Sequence, residues 1–461
     1  MFPFFMGYAA ALLENESFEV EAIDAVPLNL HLDDFYRRVA ISNPDVIVME
    51  PATTSFTWTM EVISQLKKDT SAIIVLAGPH ASIMAGHTLK GYDFIDYVLI
   101  GEYEYSLLHL IRALNSEDNI DALNGIAYRT REHEIVVNEN TLSTDPDSLP
   151  MPARHLFPAS DLNGMHYYHD GFCQNRPAVQ VHSSRGCPFS CNFCLWTQTM
   201  YKPGMYKTIA ASRVVDEMVY VTEKFGAKEV YFDDDTFTGN KKHVLQICDE
   251  ILARKLTIPW SVMGDAMITD SEMLVKMKAA GCIGIKFGLE SGVPEILKNI
   301  NKPLQLPKLL AVIDACKRLG MKTHVSVSFG HFGETEETVS QTMKFVTKLD
   351  SDSIQFSLAT PYPGTRFYNE VIRRHLLTAD EWDEFDPTHN PIVRLPGISQ
   401  EFLKKVESKA HGHWLRRKIL KPDWVKRQTG FLLYILKRQG ISGLISRLKR
   451  AFGIIFLPRF T

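Results

Sequence analysis

The sequence predicts an α/β protein: two β/α bodies in series, then a helical, basic C-terminal tail. Three observations carry this. Uninterrupted apolar runs alternate with helix-forming segments in the first part of the chain, as a parallel sheet covered on both faces requires, and in the second part six further strand candidates recur, each followed by helix-forming sequence. A linker, Asp147-Ser148-Leu149-Pro150-Met151-Pro152, separates the halves, because its two prolines disfavour helix. The charge is also divided. From His411 to Thr461 there are 12 Lys and Arg against one acid, Asp423, whereas the rest of the chain carries 38 against 53. The expected boundaries are 1–145, a linker over 146–176, 177–372, and a helical region over 373–461.

At 461 residues the chain is long enough for two or three domains with real cores. It has seven cysteines, an odd number, with three of them clustered. That argues against a secreted disulfide framework and for a reducing, cytoplasmic location. Met1 to Leu13 is apolar but lacks a basic lead and a small-residue cleavage site, so it reads as a buried helix. No apolar run reaches the length of a membrane span.

In the first body, Phe5–Leu13 reads as a helix, Val20–Asp24 as a strand and Leu32–Ala40 as a helix. Val46–Met49 is a strand followed by the polar loop Thr53-Thr54-Ser55, and Thr59–Lys67 is a helix. Ala72–Ala77 is a buried strand ending at Gly78-Pro79-His80. Tyr97–Ile100 is another, ending at Gly101-Glu102, and Tyr105–Leu114 is a helix. In a doubly wound sheet ligands bind beyond the strand C-termini, where these polar stretches fall. Ile126–Tyr128 and Ile135–Val137 read as a hairpin.

The second body has six strand candidates at βα spacing: Val179–Ser183, Glu229–Phe232, Trp260–Met263, Gly284–Leu289, Thr323–Phe329 and Ile354–Leu358. Six units make a partial TIM-like (β/α)6 barrel, whose reactive groups collect at the strand C-termini. The polar residues gather there. Cys187-Pro188-Phe189-Ser190-Cys191-Asn192-Phe193-Cys194 follows the first strand and Asp233-Asp234-Asp235 the second. Gly264-Asp265 follows the third and Glu290-Ser291 the fourth.

The spacing C-x3-C-x2-C gives three thiolates to one loop. An ordinary four-iron cluster takes four cysteines, so one iron would be left for a ligand that is not protein. A zinc knuckle is the competing reading, but it wants four protein ligands, and His182 and Cys173 are wrongly spaced. Three adjacent acids alternate in direction, so at most two of Asp233–Asp235 face the site, and one or more could cap the next helix. Glu290 has the same two readings, and His331 reads as structural. Cys248, Cys282 and Cys316 read as small core residues.

The cysteine loop, with Phe193 before its last cysteine, resembles the radical S-adenosylmethionine (SAM) signature. The likeness extends through Phe232–Thr238, Ala280-Gly281-Cys282, Phe287–Gly292 and Pro361–Thr365. The first body resembles the Rossmann-like cobalamin (B12) domain that precedes many such enzymes, on Ala77–Ser82 and Gly101–Glu104. The sequence starts where that domain's first strand would already have passed, so either that strand is lacking or this start is late. Cys194–Thr199 and the Asp233–Thr238 run are similar to enzymes that contract a sugar ring on hopanoids, and more distantly to the anaerobic magnesium-protoporphyrin monomethyl ester cyclase group.

The resemblance implies a [4Fe-4S] cluster on Cys187, Cys191 and Cys194, and reductive cleavage of SAM at its open iron. It implies SAM contacts from Phe193, Asp234, Gly288, Glu290 and Ser291. It implies cobalamin contacts from Thr53, Thr54, Ser55, Gly78, His80, Gly101 and Glu102. The reaction is a carbon-skeleton rearrangement or cyclisation of an apolar or lipid-like metabolite, or a methyl transfer from cobalamin to carbon. A non-catalytic cluster-binding or electron-transfer protein is the remaining class. A flavodoxin- or ferredoxin-type donor is the expected electron source.

In the tail, Ile441, Leu444, Ile445, Leu448 and Phe452 keep helical spacing among basic residues, and 431–436 is apolar. That is the pattern of an interfacial helix. It points to peripheral contact at the inner face of a membrane, with packing on the protein's own body as the alternative. No nucleic-acid-binding module accompanies the charge.

Overall fold

The computed structural model describes residues 1–140, 143–158, 168, 170–388, 390–422 and 424–426, with residues 429, 436, 441 and 445 of the tail. The front sheet is built on three parallel strands, β1 (Val46–Met49), β2 (Ile73–Leu76) and β3 (Tyr97–Leu99), lying side by side in that order. The hairpin β4 (Ile126–Arg129) and β5 (Ile135–Val137) extends the sheet antiparallel from β3.

Alternation along the strands feeds two cores. Ile74, Leu76 and Val98 face Phe56, Met60 and Ile63 of α3 (Phe56–Asp69) and Ala81, Ala85 and Leu89 of α4 (Gly78–Gly91). Val75, Ala77 and Leu99 face the other way, toward α1 (Phe4–Asn15) and α5 (Glu104–Ser116). Helices therefore cover both faces. A further helix, α2 (Leu32–Ser42), packs Val39 against Val62 and Leu66 of α3.

Two expectations change here. Val20–Asp24 joins no sheet, although Val20 and Ala22 pack on the core. In the strand order 2-1-3-4-5 the second strand pairs only with the first. Here the element ahead of Val20 is helix α1, so the segment has no ladder to join. Thr53-Thr54-Ser55, expected as a loop, is a single helical turn, and beyond β2 lies Gly78-Pro79-His80. It is the first turn of α4, where proline suits the first helical positions.

The second body is an open, all-parallel sheet of six strands. In spatial order they are β6 (Ala178–Val181), β9 (Glu229–Phe232), β10 (Trp260–Gly264), β11 (Cys282–Glu290), β12 (Lys322–Phe329) and β13 (Ser353–Leu358). Between β6 and β9 lies a small antiparallel hairpin, β7 (Ser184–Gly186) and β8 (Tyr206–Thr208), which the sequence did not announce. Short α6 (Trp196–Thr199) follows the last cluster cysteine. The crossover helices are α7 (Ala211–Phe225), α8 (Lys241–Ala253), α9 (Ser271–Ala279), α10 (Pro294–Asn299), α11 (Leu306–Arg318) and α12 (Glu336–Lys348). Then come α13 (Arg366–Arg373) and α14 (Gln400–Lys418), the latter packed on β13.

On β11, Ile285, Phe287 and Leu289 are buried beneath helices, and Lys286, Gly288 and Glu290 alternate with them on the inner face. On β12 the inner set is Lys322, His324, Ser326 and Ser328. The interior is thus polar. Cys248, Cys282 and Cys316 are fully buried core residues, as expected.

The tail leaves the barrel anchored. Lys418 Nζ donates to the carbonyls of Leu349 and Ser351, and Trp424 Nε1 to that of Asp352. Ile441 and Ile445 are exposed. Leu444, Leu448, Phe452 and 431–435 lie outside the described residues. Among the described residues no helix is long and apolar enough to cross a membrane.

Candidate active site

The cysteine loop is tied down by its own backbone. Gln198 on α6 donates Nε2 to the carbonyls of Cys191, Asn192 and Cys194 at 3.2, 3.1 and 2.8 Å. Asn192 N donates to Ile300 O at 3.0 Å, and Asn192 O accepts from Phe367 N at 3.0 Å. The three cysteines are free thiols and partly exposed. Burial pushes each thiol up, Cys191 to about 12; neighbouring cysteines add to the shift at Cys187 and Cys191, and Asp235 adds to it at Cys194. Thr236 Oγ1 donates to Cys187 Sγ at 3.1 Å. Among the described residues no three His, Cys, Asp or Glu are gathered around a single ion. A zinc knuckle needs such a grouping. A cluster does not, because each thiolate takes a different iron. The donor set therefore fits the cluster.

The acidic run resolves residue by residue. Gln180 Nε2 donates to Asp233 at 2.8 Å. Asp234, expected at SAM, is instead 3 % exposed beneath the loop. It accepts from Ser183 N at 2.7 Å, from Ser183 Oγ at 2.5 Å and from Ser184 Oγ at 2.7 Å. Asp235 accepts from Gly186 N at 3.0 Å. Burial raises all three carboxyls, Asp233 to about 7 and the other two to about 6. None caps α8, because Asn240 does that.

Glu290 ends β11 at a bulge, with φ +63°. A non-glycine residue there costs about 1–2 kcal/mol, and such strain concentrates at functional positions. Its Oε2 accepts from Ser328 Oγ at 2.9 Å, and Ser328 Oγ lies 2.7 Å from His331 Nε2. Burial lowers the His331 imidazole to about 3 and keeps it neutral; because the Ser328 hydroxyl donates its one proton to Glu290, the tautomer that completes the chain carries its proton on Nε2. Lys302 Nζ lies 3.8 Å from Glu290 and 3.9 Å from Asp265. Burial would lower that ammonium, but Glu290, Cys191 and Asp265 outweigh it and hold it up. A Cβ at Gly288 would meet Glu290 Oε1 at 2.6 Å, so the glycine leaves room for the carboxylate. Phe193 lies 5.3 Å from the His331 ring. Ser291, expected at SAM, is fully buried against Thr342 and caps the turn at Val293 N. Lys302, Ser328 and Gln198 were not singled out from the sequence. Only Gln198, inside the quoted Cys194–Thr199 run, left a signal there.

The front-domain residues split as well. Thr53–Ser55 forms a single helical turn after β1, and Gly78 and Gly101 adopt φ +91° and +66°. His80 is 2 % exposed, with Nδ1 3.1 Å from Thr53 Oγ1 and its ring against Phe56 and Trp382. Burial lowers His80 to about 4, and its Nε2 is buried without a hydrogen-bond partner among the described residues. These residues gather beyond β1–β3, and the orphaned nitrogen fits a site completed by a ligand. Glu102 does not belong to it. Its carboxylate is taken by Arg185 at 3.2 Å and Lys207 at 2.9 Å.

This edge of the front sheet meets α6, the helix that follows the cysteine loop. A Cβ at Gly101 would lie 3.5 Å from Met200 O, just past α6, and one at Gly364 would meet Ile83 of α4 and Thr199 of α6.

A three-thiol loop at the mouth of an open six-strand barrel, capped by a doubly wound domain, defines an iron–sulfur enzyme with a second cofactor domain. Residues 181–346 match the radical SAM superfamily and residues 2–111 the B12 binding domain. A methyltransferase of Pyrococcus horikoshii, itself uncharacterised, is 30% identical over 448 residues, covering 96% of this chain and 93% of its own. The chain therefore belongs to the radical SAM superfamily, in its B12-domain branch, and it is an enzyme whose cofactors are a [4Fe-4S] cluster, SAM and cobalamin.

Other relatives include a second methyltransferase and a cyclase. The cytidylyl-2-hydroxyethylphosphonate methyltransferase of Streptomyces wedmorensis is 24% identical, over 86% of this chain and 83% of its own. The anaerobic magnesium-protoporphyrin IX monomethyl ester cyclase of Rubrivivax gelatinosus is 24% identical, over 92% and 76%. The fold is shared with the cobalamin-dependent radical enzyme OxsB, at a TM-score of 0.73 and 16% identity over 99% of this chain and 74% of that one. It is also shared with the methyltransferase TsrM from Kitasatospora setae, at 0.69 and 20% over 81% and 73%.

Proposed function

We propose that this enzyme transfers a methyl group from cobalamin to a carbon of a metabolite whose reacting end is polar. The observation that carries the reading is the abutment of the two cofactor regions: Gly101 and α4 of the front domain lie directly on α6, which follows Cys194. A methyl carrier and a SAM-cleaving cluster must share one substrate, and that abutment supports their doing so. The methyltransferases among the relatives support it too. When bound, the cluster would supply an electron for reductive cleavage of SAM, and cobalamin would supply the methyl group.

The chain's own residues do the remaining work. Cys187, Cys191 and Cys194 hold the cluster, and Gln198 fixes their backbone. Glu290, oriented by Ser328 and His331, is a hydrogen-bond acceptor suited to an ammonium. Lys302 balances its charge. Phe193 offers an apolar edge to the adenine. Thr53, Gly78, His80 and Gly101 would hold cobalamin. The inner face of the barrel, with Ser326 and Gln355, favours hydrogen-bonding substrate groups over a wholly apolar lipid. An amphipathic substrate remains compatible with the tail docking at a membrane surface.

Ring closure or rearrangement is the second reading, supported by the cyclase relatives. Anaerobic turnover with substrate and deuteromethyl-SAM separates the two. Methyl transfer releases S-adenosylhomocysteine and adds label to the product. 5′-Deoxyadenosine with neither of these would overturn it in favour of rearrangement.

A further inference from the structure

Arg185 is two residues ahead of the first cluster cysteine and 1 % exposed. Its guanidinium bridges two acids of the front domain, Glu102 at 3.2 Å and Glu104 at 2.5 Å. The ring of Phe5 lies 4.7 Å and that of Tyr8 5.1 Å from its central carbon. Glu104 is fully buried and Glu102 nearly so. Lys207, on the partner strand of the hairpin, completes the bridge to Glu102 at 2.9 Å. On the barrel side, Asp234 and Asp235 hold Ser183, Ser184 and Gly186. The segment leading into Cys187 is therefore gripped from both domains, and Arg185 ties it to the front domain by ion pairs.

We propose that Arg185 is a positioning residue, through which Glu102 and Glu104 of the front domain set the orientation of the cluster loop and so of the iron that takes SAM. Gly101–Glu104 then serves as a socket for the barrel as well as a rim of the front-domain site. The inference holds whether the reaction is methylation or rearrangement. A fork spanning two carboxylates between two aromatic faces is a task for arginine that lysine cannot reproduce.

Four variants test it. Arg185→Gln strands the buried Glu104, and Glu104→Gln leaves Arg185 only the carboxylate it shares with Lys207, so each should lower the thermal midpoint. The double variant Arg185→Gln/Glu104→Gln strands neither and should regain most of that loss. Arg185→Lys keeps the charge but loses the fork. Each variant that folds is reconstituted with iron and sulfide, reduced, and titrated with SAM while the cluster's paramagnetic resonance spectrum is followed.

The expected result is that the double variant and Arg185→Lys need roughly tenfold more SAM to shift the signal, about the effect of one lost charged hydrogen bond. Failure of a folded variant to take up the cluster at all also supports the assignment. A native SAM response in either variant overturns it, leaving Arg185 a structural ion pair only.

Discussion

At the scale of single residues the site is a set of buried groups whose charge states follow from their neighbours. Ser328 stands between His331 and Glu290, so Ser328→Ala leaves Glu290 without its donor. The loss of one hydrogen bond, about 1 kcal/mol, should weaken SAM binding about fivefold with the cluster content unchanged, as read by isothermal titration. Glu334 gives a pH prediction. Burial raises its carboxyl from 4.5 to about 7, against the pull of the Gly330 and His331 N–H groups. A folded value above the unfolded one means stability that is present below about pH 4.5 and lost as pH rises through 7. Glu334→Gln removes that loss. The variant should match the native thermal midpoint at pH 4 and exceed it at pH 8. Equal midpoints at both would show that Glu334 titrates as an ordinary exposed acid.

Among elements, the hairpin of β7 and β8 matters most, because it carries the chain into the first cysteine. Gly186 has φ +83°, and a Cβ there would strike the carbonyl of Met205. Gly186→Ala should therefore cost more than the about 1–2 kcal/mol of the backbone conformation alone. Iron and sulfide analysis should find the cluster largely absent in a chain that still binds corrinoid. This hairpin was not legible in the sequence: Ser-Arg-Gly and Tyr-Lys-Thr have neither the apolar run nor the length of a strand. Its shape comes from pairing across the cysteine loop and from Asp235. The six barrel strands were legible because each buries one face under helices and alternates with polar residues on the other. Val20–Asp24 had the same local pattern and formed no strand, since pairing needs a neighbour that residues alone do not reveal. The site divides the same way. The cysteines share one loop and could be read at once. Lys302, Ser328 and the partners of Arg185 come from distant parts of the chain and meet only after folding. Asp234, Ser291 and Glu102 lie in the expected places but are turned to structural bonds.

Across the whole molecule, two cofactor domains share one core and one rim. The cluster of apolar residues that includes Val75 and Leu99 of the front sheet continues through Val179, Phe232 and Val325 of the barrel, so the domains are packed together rather than tethered. α1 fills the seam, with Phe4 stacked on His182 at 3.7 Å and Phe5 on Trp196 at 5.8 Å. That packing keeps the edge of α4 and Gly101 against the loop that leaves Cys194. SAM cleavage at that junction would depend on the cluster's open iron. That dependence is tested most directly by hyperfine spectroscopy of the reduced, reconstituted enzyme with SAM labelled by nitrogen-15 at the amino group and oxygen-17 at the carboxylate. Both labels should couple to the cluster in the native protein, and Cys191→Ser should abolish the signal by losing the cluster. A native protein with a full cluster and no coupling to either label would contradict it.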